Sequence, residues 1–64
     1  MKDKIEKYFN AEFKLLSEYK DKFGYSSMYH MKRDKIIGAI NLIQHINLIS
    51  DEDIKALYHK LNSI

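Results

Sequence analysis

The sequence predicts an all-α fold, either a small three-helix bundle or an antiparallel helical hairpin with a shorter third helix folded on it. Val, Thr and Pro are absent, so strand-forming residues and helix breakers are scarce, whereas the abundant Lys, Leu and Glu favour helices. Three segments, at about 3–23, 27–48 and 51–63, carry apolar residues at helical spacing. Because the connections between them are short, neighbouring helices should be antiparallel within one domain, residues 1–64.

The first helix is predicted from about Asp3 to Phe23. Asp3 and Glu6 resemble a capping box, and Gly24 supplies a left-handed stop. One face of this helix is apolar, with further apolar residues along its edges. The face consists of Ile5, Phe9, Phe13, Leu16 and Phe23, and the edges of Tyr8, Leu15 and Tyr19.

Glu12 falls inside the apolar arc of the first helix. In an antiparallel hairpin that turns near Gly24, Glu12 lies close to the level of the second helix's lysines, Lys32 and Lys35. We expect an ion pair with one of them, which would fix the register of the two helices more than it adds stability. The alternative is a functional carboxylate that acts as an acid or a switch.

The second helix is predicted to begin at Ser26 or Ser27 and to end near Leu48. Its expected core stripe contains eight residues: Met28, Met31, Ile36, Ala39, Ile40, Leu42, Ile43 and Ile46. Ile37 and Leu48 lie outside that stripe and should be solvent-exposed in a simple monomer. Gly38 should have a packing reason, such as the close approach of another helix, because glycine inside a helix costs about 1 kcal/mol relative to alanine.

The third helix has the clearest pattern. Ser50 and Asp53 form a capping box, and acidic residues at 51–53 favour the positive end of the helix. Ile49 and Ile54 flank the cap as a hydrophobic staple. The apolar stripe then continues through Ile54, Leu57, Tyr58, Leu61 and Ile64.

Several classes of function are disfavoured. The chain has no cysteine, and its three histidines are 14 or more positions apart, so we expect no disulfide, metal site or other cofactor. A chain of 64 residues rarely encloses a catalytic pocket, and we expect no enzyme. Apolar runs are too short for a membrane span, and the charged start at residues 1–7 does not resemble a signal peptide. We expect a cytoplasmic protein.

Residues 24–35 combine tyrosines, methionines and the chain's one arginine, which are residue types that protein interfaces favour. We expect Tyr25, Tyr29, Arg33 and Ile37 to form a strip on the second helix that contacts another protein, a second copy of the chain, or both. The predicted function is a non-enzymatic interaction module. Its expected form is a small regulator or inhibitor, and the composition suggests a phage or another mobile element as its source.

The alternative is a small DNA-binding transcriptional regulator that uses residues 25–35. In that case Tyr25, His30, Lys32 and Arg33 would contact phosphates or stack on bases. Two observations disfavour this interpretation. The net charge is only +2, and acidic residues at 51–53 would repel the phosphate backbone.

Overall fold

Three α-helices account for most of residues 2–64, the part of the chain that the computed structural model describes. Helix α1 spans Asp3–Phe23, α2 spans Ser27–His45 and α3 spans Asp51–Asn62. No strand occurs within the described range. Ile5 lies beside Ile43, and Tyr19 beside Met28, so α1 and α2 are antiparallel. The predicted three-helix bundle is confirmed.

Helix α2 ends three residues earlier than predicted, at His45 rather than Leu48. Asn47 adopts a positive φ of 56°. The amide of Asn47 donates to the carbonyl of Gln44, and the amide of Leu48 donates to that of Ile43, both at 3.1 Å. These two bonds form a Schellman motif, which closes the helix with a left-handed residue that is usually glycine.

Two of the three predicted N-terminal helix caps are confirmed, and the third is wrong. The Ser26 hydroxyl accepts a bond from the amide of Tyr29 at 3.5 Å, and the Ser50 hydroxyl accepts one from that of Asp53 at 3.2 Å. Asp3 is not a cap, because it is already helical. Lys2 occupies the capping position and makes no side-chain cap bond. The carboxylate of Asp3 still favours the positive helix end.

Gly24 ends α1 as predicted, with its amide bonded to the carbonyl of Lys20 at 2.8 Å. Its φ of 64° is in the range that glycine tolerates, but its ψ of −153° differs from that of a left-handed helical residue. The chain therefore leaves α1 in an extended direction, and only Tyr25 and Ser26 separate Gly24 from α2.

The core takes three buried side chains from each helix. They are Phe9, Phe13 and Leu16 from α1, Tyr29, Ile36 and Ile40 from α2, and Ile54, Leu57 and Leu61 from α3. Full burial of such a side chain contributes roughly 1.5–3 kcal/mol relative to its exposure. The predicted stripe of α3 is confirmed, with Tyr58 and Ile64 half-buried at its edges. In α1 the prediction holds except at Phe23, which is exposed.

The predicted core stripe of α2 is half right: Ile36 and Ile40 are buried and Ala39 and Ile43 pack against the core, but the centre of the stripe is displaced by roughly 80° around the helix axis. Met28, Met31, Leu42 and Ile46, all assigned to the core stripe, are exposed. Tyr29 is buried in their place. Helix α2 has apolar residues on two sides, and the core uses the side that faces both α1 and α3. The sequence stripe had merged the two sides into one.

Helix α3 packs against one side of the α1–α2 hairpin, and three polar contacts mark that side. The Tyr58 hydroxyl donates to Asn41 Oδ1 at 2.7 Å, and Arg33 donates to Asn62 Oδ1 at 2.9 Å. At the end of the bundle, Lys20 Nζ donates to the main-chain oxygen of Ile64 at 2.6 Å. These contacts leave the opposite side of the hairpin without a covering helix.

Candidate functional site

The four residues predicted to contact a partner do not form an exposed strip. Tyr29 is only 5% exposed and belongs to the core. Ile37, which was expected to face solvent, packs against the core as a half-buried residue. Arg33 is half-buried and bonded to Asn62 of α3. Tyr25 alone is well exposed, at 64%, and its ring meets Tyr29 edge-on at 5.0 Å.

The residues of the nucleic-acid alternative are also largely engaged within the fold. Lys32 forms an ion pair with Glu12, and each of the two side chains is 18% exposed. Arg33 is held by Asn62. His30 is exposed and lies 5.3 Å from the Tyr29 ring, centroid to centroid. With both cations bound to other helices, this segment presents no cluster of charge for a phosphate backbone.

The expected ion pair at Glu12 is confirmed, with Lys32 rather than Lys35 as the partner. It joins α1 to α2 on the side of the hairpin that α3 leaves uncovered. A charged pair that is largely removed from water tolerates little displacement, since either partner alone would be left uncompensated. The pair therefore fixes the register of the hairpin.

The uncovered side of the hairpin carries most of the large exposed apolar side chains of residues 2–64, and we call it the open face. Along α1 they follow helical spacing, and along α2 they occupy the side next to the core. Met31 and Leu42 are the most exposed, at 63% and 60%. The open face comprises Tyr8, Leu15 and Phe23 of α1 with Met28, Met31, Leu42 and Ile46 of α2.

Two clefts lie along this face. The larger, of about 330 Å³, is almost entirely apolar and is lined by Ile5 and Tyr8 of α1 with Ala39, Leu42 and Ile43 of α2, among others. The smaller, of about 220 Å³, is lined by Tyr19, Met28, Met31, Lys32 and Lys35. The Glu12–Lys32 pair stands between them. Neither cleft gathers the convergent polar groups that a catalytic pocket uses, but both offer apolar surface to a partner.

Gly38 lies on α2 beside the open face and is exposed. A packing reason for this glycine was expected, but a methyl group at its Cβ position would meet nothing within 4 Å. The close approach expected from the sequence does not occur within this chain. Gly38 instead leaves a shallow gap on the surface of α2.

The sequence pattern did not single out the open face, because the four α2 residues of this face had been assigned to the core. The observation that could have found it is the width of the apolar pattern. Apolar residues cover more of α2 than one three-helix core can bury, so some of them had to face outward. A second apolar surface was expected around Tyr25 and Ile37, whereas the exposed apolar side chains of α2 include Met31 and Leu42 on another side of the helix.

Comparison with protein-family models, curated proteins and solved structures finds no match to this chain. Within residues 2–64, no helix combines the length and apolar character of a membrane span. The same residues hold no group of three His, Asp or Glu side chains placed to share a metal ion. The open face is the candidate site because of the geometry described above.

Proposed function

We propose that this chain is a non-enzymatic protein-interaction module whose binding surface is the open face. The regulator or inhibitor expected from the sequence is the form we propose, acting in the cytoplasm by occupying an apolar surface on another protein molecule. The observation that carries the proposal is the concentration of exposed apolar side chains on one side of the hairpin. Contiguous apolar patches of this kind mark interaction sites, whereas single exposed residues need no explanation.

The shape of the open face suits an amphipathic helix as its occupant. The molecule is 34 Å long and 18 Å across, and a helix of about 20 residues is about 30 Å long. The two clefts lie along that length on either side of the Glu12–Lys32 pair, and an apolar stripe laid across the pair would contact both. Binding would remove apolar surface from water at about 25 cal/mol per Å².

The residue types on the open face support binding rather than simple solvation. Met28 and Met31 have flexible, polarizable side chains that adapt to a partner's shape. Tyr8 offers a rigid aromatic ring, which meets Phe9 edge-on at 5.1 Å and is half exposed. Tyrosine is among the residues that carry binding energy at interfaces.

The proposal is tested by site-specific photo-crosslinking in cells. Benzoylphenylalanine is placed at Leu42 on the open face and, in a matched variant, at Gln44, which is exposed on a different side of α2. We expect a discrete protein adduct from position 42 and none from position 44. Adding Met31→Lys to the first variant should remove the adduct. Equal labelling from both positions, or no labelling from position 42, would contradict the proposal.

A further inference from the structure

We propose that the occupant of the open face is the open face of a second copy of this chain, with the two α2 helices antiparallel across a two-fold axis. The inference deepens the proposed function and rests on it. It follows from the pattern of the exposed residues along both helices of the hairpin.

The exposed side of α2 has the spacing of a helix–helix seam. Six of its residues are separated by intervals of three or four, close to the 3.5-residue period at which helices pack along their length. The seam consists of Met28, Met31, Lys35, Gly38, Leu42 and Ile46. Five of the six are exposed large side chains, and the sixth is the exposed Gly38. None of the six belongs to the buried core.

The seam is self-complementary when one copy is reversed. Met28 then lies opposite Ile46 of the second copy, and Met31 lies opposite Leu42, so each large apolar side chain meets another. Lys35 and Gly38 form the central pair. The midpoints of the three pairs coincide to within half a residue, between residues 36 and 37 for two pairs and at residue 37 for the third, as one two-fold axis and an interface that is the same on both copies require.

Two of the three exposed apolar residues of α1 have their centre at a similar height in the hairpin. Tyr8 and Leu15 are symmetric about a point between residues 11 and 12, whereas Phe23 has no counterpart in this arrangement. Antiparallel packing places this point near residue 37 of α2, because Tyr8 lines one cleft with Leu42 and Tyr19 lines the other with Met28. One axis therefore relates Tyr8 and Leu15 together with the seam of α2, and two hairpins can meet face to face.

The central pair gives Gly38 the packing role that it lacks within one chain. With open space above its Cβ position, Gly38 offers room for the stem of Lys35 from the second copy. A lysine can cover such a gap with its methylene groups and keep its ammonium in water at the edge of the interface. The reversed arrangement also offsets the two lysines, whereas a parallel pairing would place them directly opposite each other.

The size of the open face is bounded by the dimensions of the molecule. Its Cα extents of 34 by 18 Å enclose at most about 600 Å², or about 1,200 Å² for two faces together, which is the lower limit for specific interfaces. A standard interface buries about 800 Å² on each partner. Two such faces in contact would pair apolar side chains on both sides of the central Lys35 and Gly38, and the two lysine stems would carry their ammonium groups out to solvent.

The test is disulfide trapping, which the absence of native cysteine makes specific. Chains carrying Met31→Cys and chains carrying Leu42→Cys are oxidised separately and as an equal mixture, and the products are separated by mass. We expect the mixture to form a mixed disulfide several-fold faster than either variant forms a disulfide with itself. The control variant is Gln44→Cys, which should crosslink only at the rate of random collision.

Association is measured in parallel by sedimentation equilibrium. We expect the unmodified chain to dimerise and Leu42→Lys to raise the dimer dissociation constant by about tenfold or more, since the changed residue faces Met31 of the second copy and is present twice. Gln44→Lys should leave the constant unchanged. Circular dichroism of each variant checks that the helices persist.

Three outcomes would overturn the inference: a monomer at all concentrations, self-crosslinking at positions 31 and 42 as in a parallel dimer, or equal crosslinking from position 44. The photo-crosslinking experiment separates this failure from failure of the proposed function. A position-42 adduct with a different protein would leave the proposed function standing and remove the second copy as occupant. No adduct of either kind would remove both.

Discussion

At the scale of single residues, Ile37 shows that the position of α3 decides whether an apolar residue of α2 belongs to the core or to the surface. The sequence assigned it to a partner-facing strip because it lies outside the stripe first chosen for α2. In the fold, α3 covers this part of α2, and Ile37 packs against the core cluster. Its neighbour one turn earlier, Arg33, is bonded to Asn62 of α3. Isoleucine at position 37 is therefore explained by the contact between α2 and α3.

Replacing Ile37 with lysine should destabilise the fold by about 1–3 kcal/mol, since the change removes apolar packing and places an ammonium at a half-buried position. Gln44→Lys on the exposed side of the same helix should change stability by no more than about 0.5 kcal/mol. Urea unfolding of both variants gives the comparison. Equal stability of the two would place Ile37 in solvent and contradict the observed facing of α2.

At the scale of helices, the end of α2 depends on the backbone of Asn47. This residue holds a positive φ of 56°, and the two amide bonds of the Schellman motif depend on it. Asparagine is one of the few non-glycine residues that adopt this conformation without a large penalty. The motif turns the chain toward Ser50, the cap of α3, within three residues.

Asn47→Gly should maintain or raise stability by up to about 1 kcal/mol, because glycine adopts a positive φ without steric strain. Asn47→Ala should lower it by about 1 kcal/mol. The matched control is Asn10→Gly in the exposed interior of α1, which should lower stability by a few tenths of a kcal/mol, since glycine is a somewhat poorer helix former than asparagine. Thermal unfolding measures all three changes. If Asn47→Gly lowered stability as much as Asn10→Gly does, the Schellman ending of α2 would be contradicted.

At the scale of the whole molecule, each helix contributes three of the buried residues. A chain of this length buries only about 60% of the surface that it exposes when unfolded, so the loss of one helix would leave a poorly covered core. Helix α3 therefore contributes to the stability of the domain, although it is the shortest of the three helices.

Leu57→Ala should destabilise the protein by about 2–4 kcal/mol, the usual cost of removing a buried leucine side chain. The helical circular dichroism of all three helices should be lost in one cooperative transition at a lower temperature. Lys55→Ala, on the exposed side of α3, is the control and should have little effect. A neutral Leu57→Ala would mean that α3 does not dock on the hairpin.

The elements that the sequence predicted correctly are those with one apolar side. Helix α3 has a single stripe and a serine cap, so both its start and its buried residues Ile54, Leu57 and Leu61 were predicted. Helix α2 has two apolar sides, and the sequence does not say which one the core uses. That choice depends on where α3 packs, as the half-buried Ile37 shows. For the same reason, two of the residues predicted to contact a partner, Tyr29 and Ile37, lie in or against the core.

The burial of Tyr29 gives this protein an internal optical reporter. The chain has no tryptophan, so its five tyrosines dominate the near-ultraviolet spectrum. Tyr29 is the buried one, and its ring is held edge-on by Tyr25 and His30 at interplanar angles of 88° and 81°. A fixed asymmetric environment produces circular dichroism in this region, and the signal disappears when side-chain packing loosens while helices persist. In a cooperative transition the near-ultraviolet signal should therefore be lost together with the helical signal, and an earlier near-ultraviolet loss would reveal packing that loosens first around the α1–α2 turn.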